Sequence, residues 1–439
     1  MKNNMNPFVK WAGGKRQIVD KILEIIHSFE DEIDNKYTFI EPFVGGGAVF
    51  IALNHNDVII NDINTELINA YEVIRDEPDK LMKKLDIYKK EFLEDRHHFY
   101  YNLRGLDRDS KTYNEKTALE KAARTIFLNK TCFNGLYRVN LKGQFNTPMG
   151  RYKNPSMYKK ENIEALSKYF NKDTFKIFNK DYSEIIEMAK SNDIIYVDPP
   201  YDYGPENDGF TQYQKEGFVF DDFILLKKTL DEAIHKGAFV IISNNATDRV
   251  INLFREDSKY KIIYNVEKFK TNRNINSKGN ERKTGLEVLI IGKPITFPQA
   301  NDVDKVMSLI RLRNPKILKD NSELERILRV STYRQIQYYT TALRFLELLS
   351  PDNEYTEKAI EFRKMKRIMF EYEFAKYILT FEPFKTIYYI ETNENKKMTN
   401  IELSYHLGKH YKSLSQTTLE RRSSTIRKWI EFCKSKLSN

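Results

Sequence analysis

Hydrophobic and polar positions change period several times along the chain. Residues 15–29 place apolar side chains at helical spacing, whereas 37–43 and 57–63 are short, nearly continuous apolar runs. Such runs are expected of strands buried on both faces, and the periodic stretches of helices. A helix is predicted over 64–74. From Phe175 the alternation resumes, with strand 193–198, helix 221–236, strand 238–243, helix 246–256, and strands 260–267 and 286–291. This order predicts an α/β fold built on a doubly wound sheet. The loop between the last two strands is too short for a helical crossover, so an antiparallel hairpin at the sheet edge is expected. Residues 76–171 break the pattern, first polar and helical, then rich in Gly, Asn and aromatics. They read as an insertion between two parts of one domain, 1–75 and 172–293. A linker with two prolines over 293–301 leads to a mostly α-helical segment, 302–439.

Charge sharpens this division. The net charge is +10, of which residues 301–439 carry +8. Residues 121–160 hold nine Lys and Arg and no acid. A basic insert in a nearly neutral domain, followed by a basic tail, fits a polyanionic partner. At 41 % apolar, the 439 residues are enough for two or three cores. Cys132 and Cys433 lie far apart and form neither a metal pattern nor a disulfide framework. No apolar run reaches the ~20 residues of a membrane helix, so a cytoplasmic, reduced setting is expected.

The candidate chemistry begins where the strand at 193–198 ends, in Asp198-Pro199-Pro200-Tyr201. Open α/β sheets carry their chemistry at the carboxyl ends of strands. Asp198 and the Pro199 carbonyl are two acceptors for an exocyclic amino group. Pro199 and Pro200 fix φ near −65°, and Tyr201 offers a ring for stacking. These residue types suit an amine on an aromatic heterocycle, although Pro-Pro also serves simply to end a strand. Upstream, Glu41-Pro42-Phe43-Val44-Gly45-Gly46-Gly47 joins a strand to a helix. Its glycines permit close backbone approach to a nucleotide-like ligand. Asp62 ends the next strand and has two readings, an acceptor for ribose hydroxyls or the N-cap of helix 64–74. Trp11, one of two tryptophans, stands near Gly13-Gly14-Lys15. Residues 128–152 carry the turn signals Asn134-Gly135 and Lys142-Gly143 around a short hairpin. Arg138, amides and aromatics there suit base edges and stacking.

Taken in order, Phe8 to Lys15, Glu41 to Gly47, Asn61 to Asn64, Asn134 to Tyr152 and Asp198 to Tyr201 resemble the Dam family of DNA adenine-N6 methyltransferases. The resemblance covers roughly residues 6–293, in the motif order of that family's α class. It implies a Rossmann-like sheet with an inserted target-recognition domain, S-adenosyl-L-methionine as cofactor, and double-stranded DNA as partner. Trp11, Lys15, Phe43, Gly45, Gly47, Asp62, Asp181, Tyr182 and Asp198 match cofactor-binding positions. Asp198, Pro199, Pro200 and Tyr201 match the catalytic tetrapeptide. Lys10, Asn134, Leu136, Arg138, Asn146, Pro148 and Arg151 fall in the DNA-contacting part. Lys278 and Arg282 lie in a segment resembling a DNA-facing loop. Leu136, Arg138 and Pro148 make GATC the first expectation for the target. No metal is implied.

The tail departs from this family. Val330 to Tyr339 begins a helix with polar and aromatic faces. Residues 417–430 read as a Ser/Thr/Arg-rich recognition helix after a shorter apolar one, with Arg421, Arg422 and Arg427 toward DNA. This resembles winged-helix segments of restriction–modification proteins, which implies a separately encoded cognate endonuclease and a nucleoid-associated, bacterial protein. Two other readings stand beside this one. One is a methyltransferase for another planar amine, in RNA or a protein amide. The other is a DNA-binding protein with a degenerate catalytic core.

Overall fold

The computed structural model describes residues 5–11, 15, 17–30, 33, 36–202, 218–255, 262–272, 284–294, 297–350, 353–411, 414 and 416–437. Lys278 and Arg282 lie outside them. The apolar runs form strands β1 (Phe39–Glu41), β2 (Val58–Asn61), β3 (Phe175–Phe178), β4 (Ile194–Val197), β5 (Phe239–Asn245), β6 (Ile263–Asn272) and β7 (Thr284–Lys293). They make one seven-stranded sheet in the order β3-β2-β1-β4-β5-β7-β6. Neighbours from β3 through β5 are parallel, and β7 runs antiparallel to β5. Every residue of β1, β2, β4 and β5 is buried, as expected of strands covered on both faces.

The expected edge hairpin takes a particular form. β7 slots between β5 and β6, so β6 is the edge and the later strand is internal. This places Glu287 opposite Asn245, at the carboxyl end of β5.

The insertion shares the sheet's core. Helices Pro78–Glu94, Arg96–Gly105 and Ala118–Thr131 bury Leu81, Phe92, Tyr100 and Phe127 in the same cluster as Phe39, Val58 and Ile194. The hairpin after them is a loop held by two antiparallel bridges, Cys132 with Met149 and Val139 with Phe145. Asp107 secures it, accepting from Phe145 N (2.8 Å) while pairing with buried Arg124 (2.8 Å).

The chain divides into two compact units, Met1–Tyr260 with Val266–Gly292, and Lys261–Asn265 with Lys293–Asn439. The second is helical and has its own core around Phe297, Leu343, Phe374 and Trp429. Its last helix is Gln416–Leu437. It is a core helix, burying Leu419, Ile426, Trp429, Ile430 and Cys433. Arg427 turns inward, pairing with buried Glu391 (2.6 Å) and donating to the Met398 carbonyl. Lys434 joins the same carboxylate at 2.8 Å. Arg427 is therefore held by contacts within the second unit. Arg421 is exposed and donates to Thr418 Oγ1 (3.2 Å), and Arg422 is half-buried. Of the Ser/Thr/Arg face read as a recognition surface, Ser423 and Thr425 are buried, while Thr417, Arg421, Ser424 and Lys428 are exposed.

Candidate active site

β4 ends at Val197, and the next four residues leave the sheet as Asp198 to Tyr201. The Asp198 carboxylate is held from two sides. Lys15 Nζ lies 2.8 Å from Oδ1, and Ser243 Oγ donates to the same oxygen at 3.0 Å. Ser243 sits on β5 and is bonded in turn to buried Tyr196 (2.8 Å). The side chain of Lys15 is only 4 % exposed and that of Asp198 20 %, so this ion pair is largely dry on its inner side. Burial pushes the Asp198 carboxyl above its usual range, while Lys15 and Ser243 pull the other way. Lys15 Nζ also donates to the Tyr201 hydroxyl, which donates on to Glu287 Oε2 (3.2 Å). The ring of Tyr201 lies 4.4 Å from the same ammonium.

The tetrapeptide is anchored behind Tyr201 by Asp202. This buried carboxylate takes Arg249 Nε at 2.8 Å and Thr247 Oγ1. Its backbone N–H donates to Asn244 Oδ1 (3.0 Å), and its carbonyl accepts from Asn245 (2.9 Å). Ser243, Glu287, Asp202 and Arg249 were not singled out from the sequence. Asp202 carried the only local signal, as a second acid beside the prolines.

The glycine loop sits at the end of β1. Gly45 and Gly47 have φ of +47° and +72°, a region that side chains disfavour. A Cβ at Gly45 would come within 2.8 Å of the Trp11 ring. The Gly45 N–H donates to Asp62 Oδ2 (3.0 Å), and Tyr71 Oη donates to the Gly45 carbonyl (3.0 Å). Asn64, not Asp62, caps the helix Thr65–Asp76, accepting from Leu67 N (3.0 Å). The capping reading of Asp62 therefore fails. Phe43 stacks on Tyr182 (5.1 Å, 28°), whose buried hydroxyl has no partner among the described residues. Asp181 caps the helix Tyr182–Glu187 through Oδ1, which accepts from Ser183 N (2.9 Å). Beneath the loop, Glu41 is fully buried, and desolvation raises its pKa well above the usual value.

Trp11 presents one face to Tyr137 of the insert (4.9 Å, 25°). That contact belongs to a seam. Asn129 of the helix Ala118–Thr131 is buried and reads the Lys10 backbone with both ends of its amide. It accepts from Lys10 N (2.8 Å) and donates to Lys10 O (2.7 Å) and to Gly135 O (3.1 Å). The Lys10 stem runs so close to Gly135 that a Cβ there would lie 2.7 Å away. Lys10, Asn134, Arg138, Pro148 and Arg151 are exposed, and Leu136 and Asn146 are partly so. Asn146 accepts from Arg138 Nε at 2.8 Å, which fixes the plane of the guanidinium. The Phe133 N–H donates to Pro148 O (2.9 Å), and Thr147 Oγ1 donates to Leu136 O (2.7 Å). The expected DNA-contacting residues of the insert thus gather on one bridged loop.

The donor set fits a sulfonium nucleoside. A glycine loop free of side chains, an acid at the end of β2 and an aromatic pair beside them suit an amino-acid tail, a ribose and a base. Cys132 is unsuited to nucleophilic attack, since burial pushes its thiol to about 12. Among the described residues there is no cluster of metal-ligating side chains and no helix long and apolar enough to cross a membrane.

Comparison with known proteins agrees with this geometry. Residues 305–437 match a domain of unknown function, DUF7226. A type II methyltransferase of Lactococcus lactis subsp. cremoris, M1.LlaDCHI, is 37 % identical over 290 residues, covering 66 % of this chain and 96 % of the relative. The type II methyltransferase M.MjaIII of Methanocaldococcus jannaschii is 39 % identical over 295 residues, 65 % and 98 % of the two chains. A DNA adenine methylase of Vibrio cholerae is 31 % identical over 297 residues, 67 % and 98 %. Residues 11–272 match the D12 class N6 adenine-specific DNA methyltransferases, the family to which this chain belongs.

Proposed function

We propose that the protein methylates N6 of an adenine flipped out of duplex DNA, with GATC as its target, as the modification enzyme of a restriction–modification system. A separately encoded endonuclease would then be its functional counterpart, and the bacterial nucleoid its setting. The reading rests on one observation above all. Asp198 is fixed by Lys15 and Ser243 beside the Tyr201 ring, next to an insert whose loop gathers Arg138, Leu136 and Pro148. Leu136, Arg138 and Pro148 carry the GATC assignment.

The N6 lone pair of adenine is conjugated with the ring, and the base is stacked in the duplex. Flipping costs a few kcal/mol, offset by stacking on Tyr201. Asp198 and the Pro199 carbonyl accept hydrogen bonds from the amine and draw it out of the ring plane. When bound, the cofactor supplies an electrophilic methyl group. As N6 becomes positive and sheds a proton, the Asp198 carboxylate, whose proton affinity burial has raised, is placed to stabilise the charge and take the proton. Lys15 keeps that carboxylate ionised beforehand. Phe43, Tyr182, Asp62, Trp11 and the glycine loop would hold the cofactor, and Asp181 would border its base.

The test is transfer of labelled methyl groups to duplex oligonucleotides containing GATC, permuted sites or no adenine, with product bases identified. N6-methyladenine confined to GATC supports the reading. Equal labelling of permuted sites would remove the GATC assignment. Labelling of RNA or protein alone would remove the duplex-DNA assignment.

A further inference from the structure

The tail holds a second candidate surface, far in sequence from the helix Gln416–Leu437. Helix Asn321–Leu328 ends at Arg329, whose φ is +49°, and the helix Tyr333–Phe345 begins four residues on. Both pack together, and the helix Val303–Ile310 packs on the second of them. After Phe345 the chain forms a small antiparallel turnback. Leu349 bridges Tyr355, and Ser350 N donates to Glu354 O (2.8 Å). The Tyr355 hydroxyl donates to the Leu309 carbonyl, tying this turnback to the first helix. Three α-helices, a four-residue turn between the last two and a turnback closed by a single bridge follow one another in the order of elements of a winged helix-turn-helix.

The turn is sequence-encoded. Thr332 caps the helix Tyr333–Phe345, accepting from Gln335 N (3.4 Å), and Gln335 Oε1 accepts from Ser331 N (3.0 Å). Beside it lies a cleft of about 560 Å³. Its lining includes Asn301, Lys305, Arg329, Ser331, Gln335 and Tyr338, and no carboxylate. Lys305 Nζ stands 5.6 Å over the Tyr339 ring, and Arg329 is exposed, without an acidic partner among the described residues. On the helix Gln416–Leu437, Arg427, Lys434 and Lys436 are ion-paired, while Arg421 and Lys428 are exposed.

We infer that the tail docks on the phosphate backbone of duplex DNA through this turn and cleft, with Lys305 and Arg329 as phosphate contacts and the start of the helix Tyr333–Phe345 facing a groove. The inference rests on the proposed action on duplex DNA and adds where the second unit engages it. Charge complementarity selects the partner. Two cations with hydroxyls and amides around them, in a lining without acids, suit phosphodiesters.

The test uses the full chain and the double variant Lys305→Gln/Arg329→Asn. Asparagine tolerates the left-handed backbone at 329 better than alanine, and glutamine keeps part of the stem over Tyr339. Duplex affinity is measured across a salt series. Each lost phosphate contact should flatten the slope of log K against log salt by about 0.9, so the double variant is expected to lose roughly 1.8 and to bind several-fold more weakly at low salt. A second variant, Gln335→Glu, sets a negative charge at the turn and should weaken binding without altering the core. Arg421→Ala, on the other helix, should change the slope less than the double variant. Methyl transfer at saturating DNA and low salt should stay at the wild-type rate in all three. Unchanged slope and affinity in both the double variant and Gln335→Glu would overturn the inference while leaving the catalytic reading intact. Failure of wild-type protein to methylate DNA would instead overturn the catalytic reading.

Discussion

At the scale of single residues, the account turns on what Asp198 and Tyr201 each do. Asp198 accepts from the amine only when ionised, and burial raises its pKa above the ordinary aspartate value of 3.8. Turnover should therefore fall as pH drops through a point above that value. Lys15→Met removes a cation that holds the pKa down, so the acid limb should move further up. Profiles of kcat against pH check this, and superimposable limbs would contradict the role given to Lys15. Tyr201→Ala should lose stacking worth ~1–3 kcal/mol. Tyr201→Phe keeps the ring while losing the hydroxyl bonds with Lys15 and Glu287, so it should stay clearly more active than the alanine variant. If single-turnover rates of Phe and Ala variants were equal, the hydroxyl and not the ring would matter. The sequence disclosed Asp198, Tyr201, Lys15 and Asp62 because each sits in a short run of unusual composition. It did not disclose Ser243 or Glu287. Each is an ordinary polar residue in an apolar strand, and only the pairing of β5 with β4 and β7 brings it to the site.

At the scale of elements, the seam ties the insert to the Lys10–Trp11 segment through Asn129. Asn129→Asp keeps size and the acceptor for Lys10 N but loses the donors to Lys10 O and Gly135 O. Leaving buried groups unsatisfied costs about 1–3 kcal/mol each. The variant should show at least about a tenfold lower kcat/KM on its target. Steady-state kinetics check this, and wild-type values would mean the seam is only packing. Arg249→Ala strands buried Asp202, and breaking such a pair costs about 3–5 kcal/mol. A midpoint of thermal unfolding within a degree of wild type would refute the anchoring role. Strand and helix alternation was legible because buried strands and amphipathic helices differ in period. The position of β7 was not, since nothing local distinguishes an edge strand from one slotted inside. The helix Gln416–Leu437 shows a related limit. Its Arg and Ser residues read as a free polar face, yet Leu419, Ile426, Trp429 and Cys433 form an apolar stripe, and the partner of Arg427 lies 36 residues away at Glu391.

At the scale of the whole molecule, every motif matched to methyl transfer lies in the unit that ends at Gly292, and the tail has a separate hydrophobic core. A chain ending at residue 300 should fold, bind the cofactor and retain methyl transfer at low salt. It should bind DNA more weakly and with a flatter dependence on salt, because the tail carries +8 of the +10 net charge and fewer counterions are released without it. Loss of cofactor binding on truncation, followed by calorimetry, would show that the first unit needs the second. The central claim is that Asp198, held by Lys15 and Ser243, draws adenine N6 into position for direct methyl transfer. Single-turnover methylation of duplex DNA by Asp198→Ala, with cofactor and DNA saturating, tests it most directly. The chemical step should fall by about two to three orders of magnitude, the scale of losing a hydrogen bond that strengthens in the transition state. Cofactor and DNA affinities should change far less. A variant that keeps more than about a tenth of the wild-type rate would contradict the account, since a loss that small falls well short of such a bond.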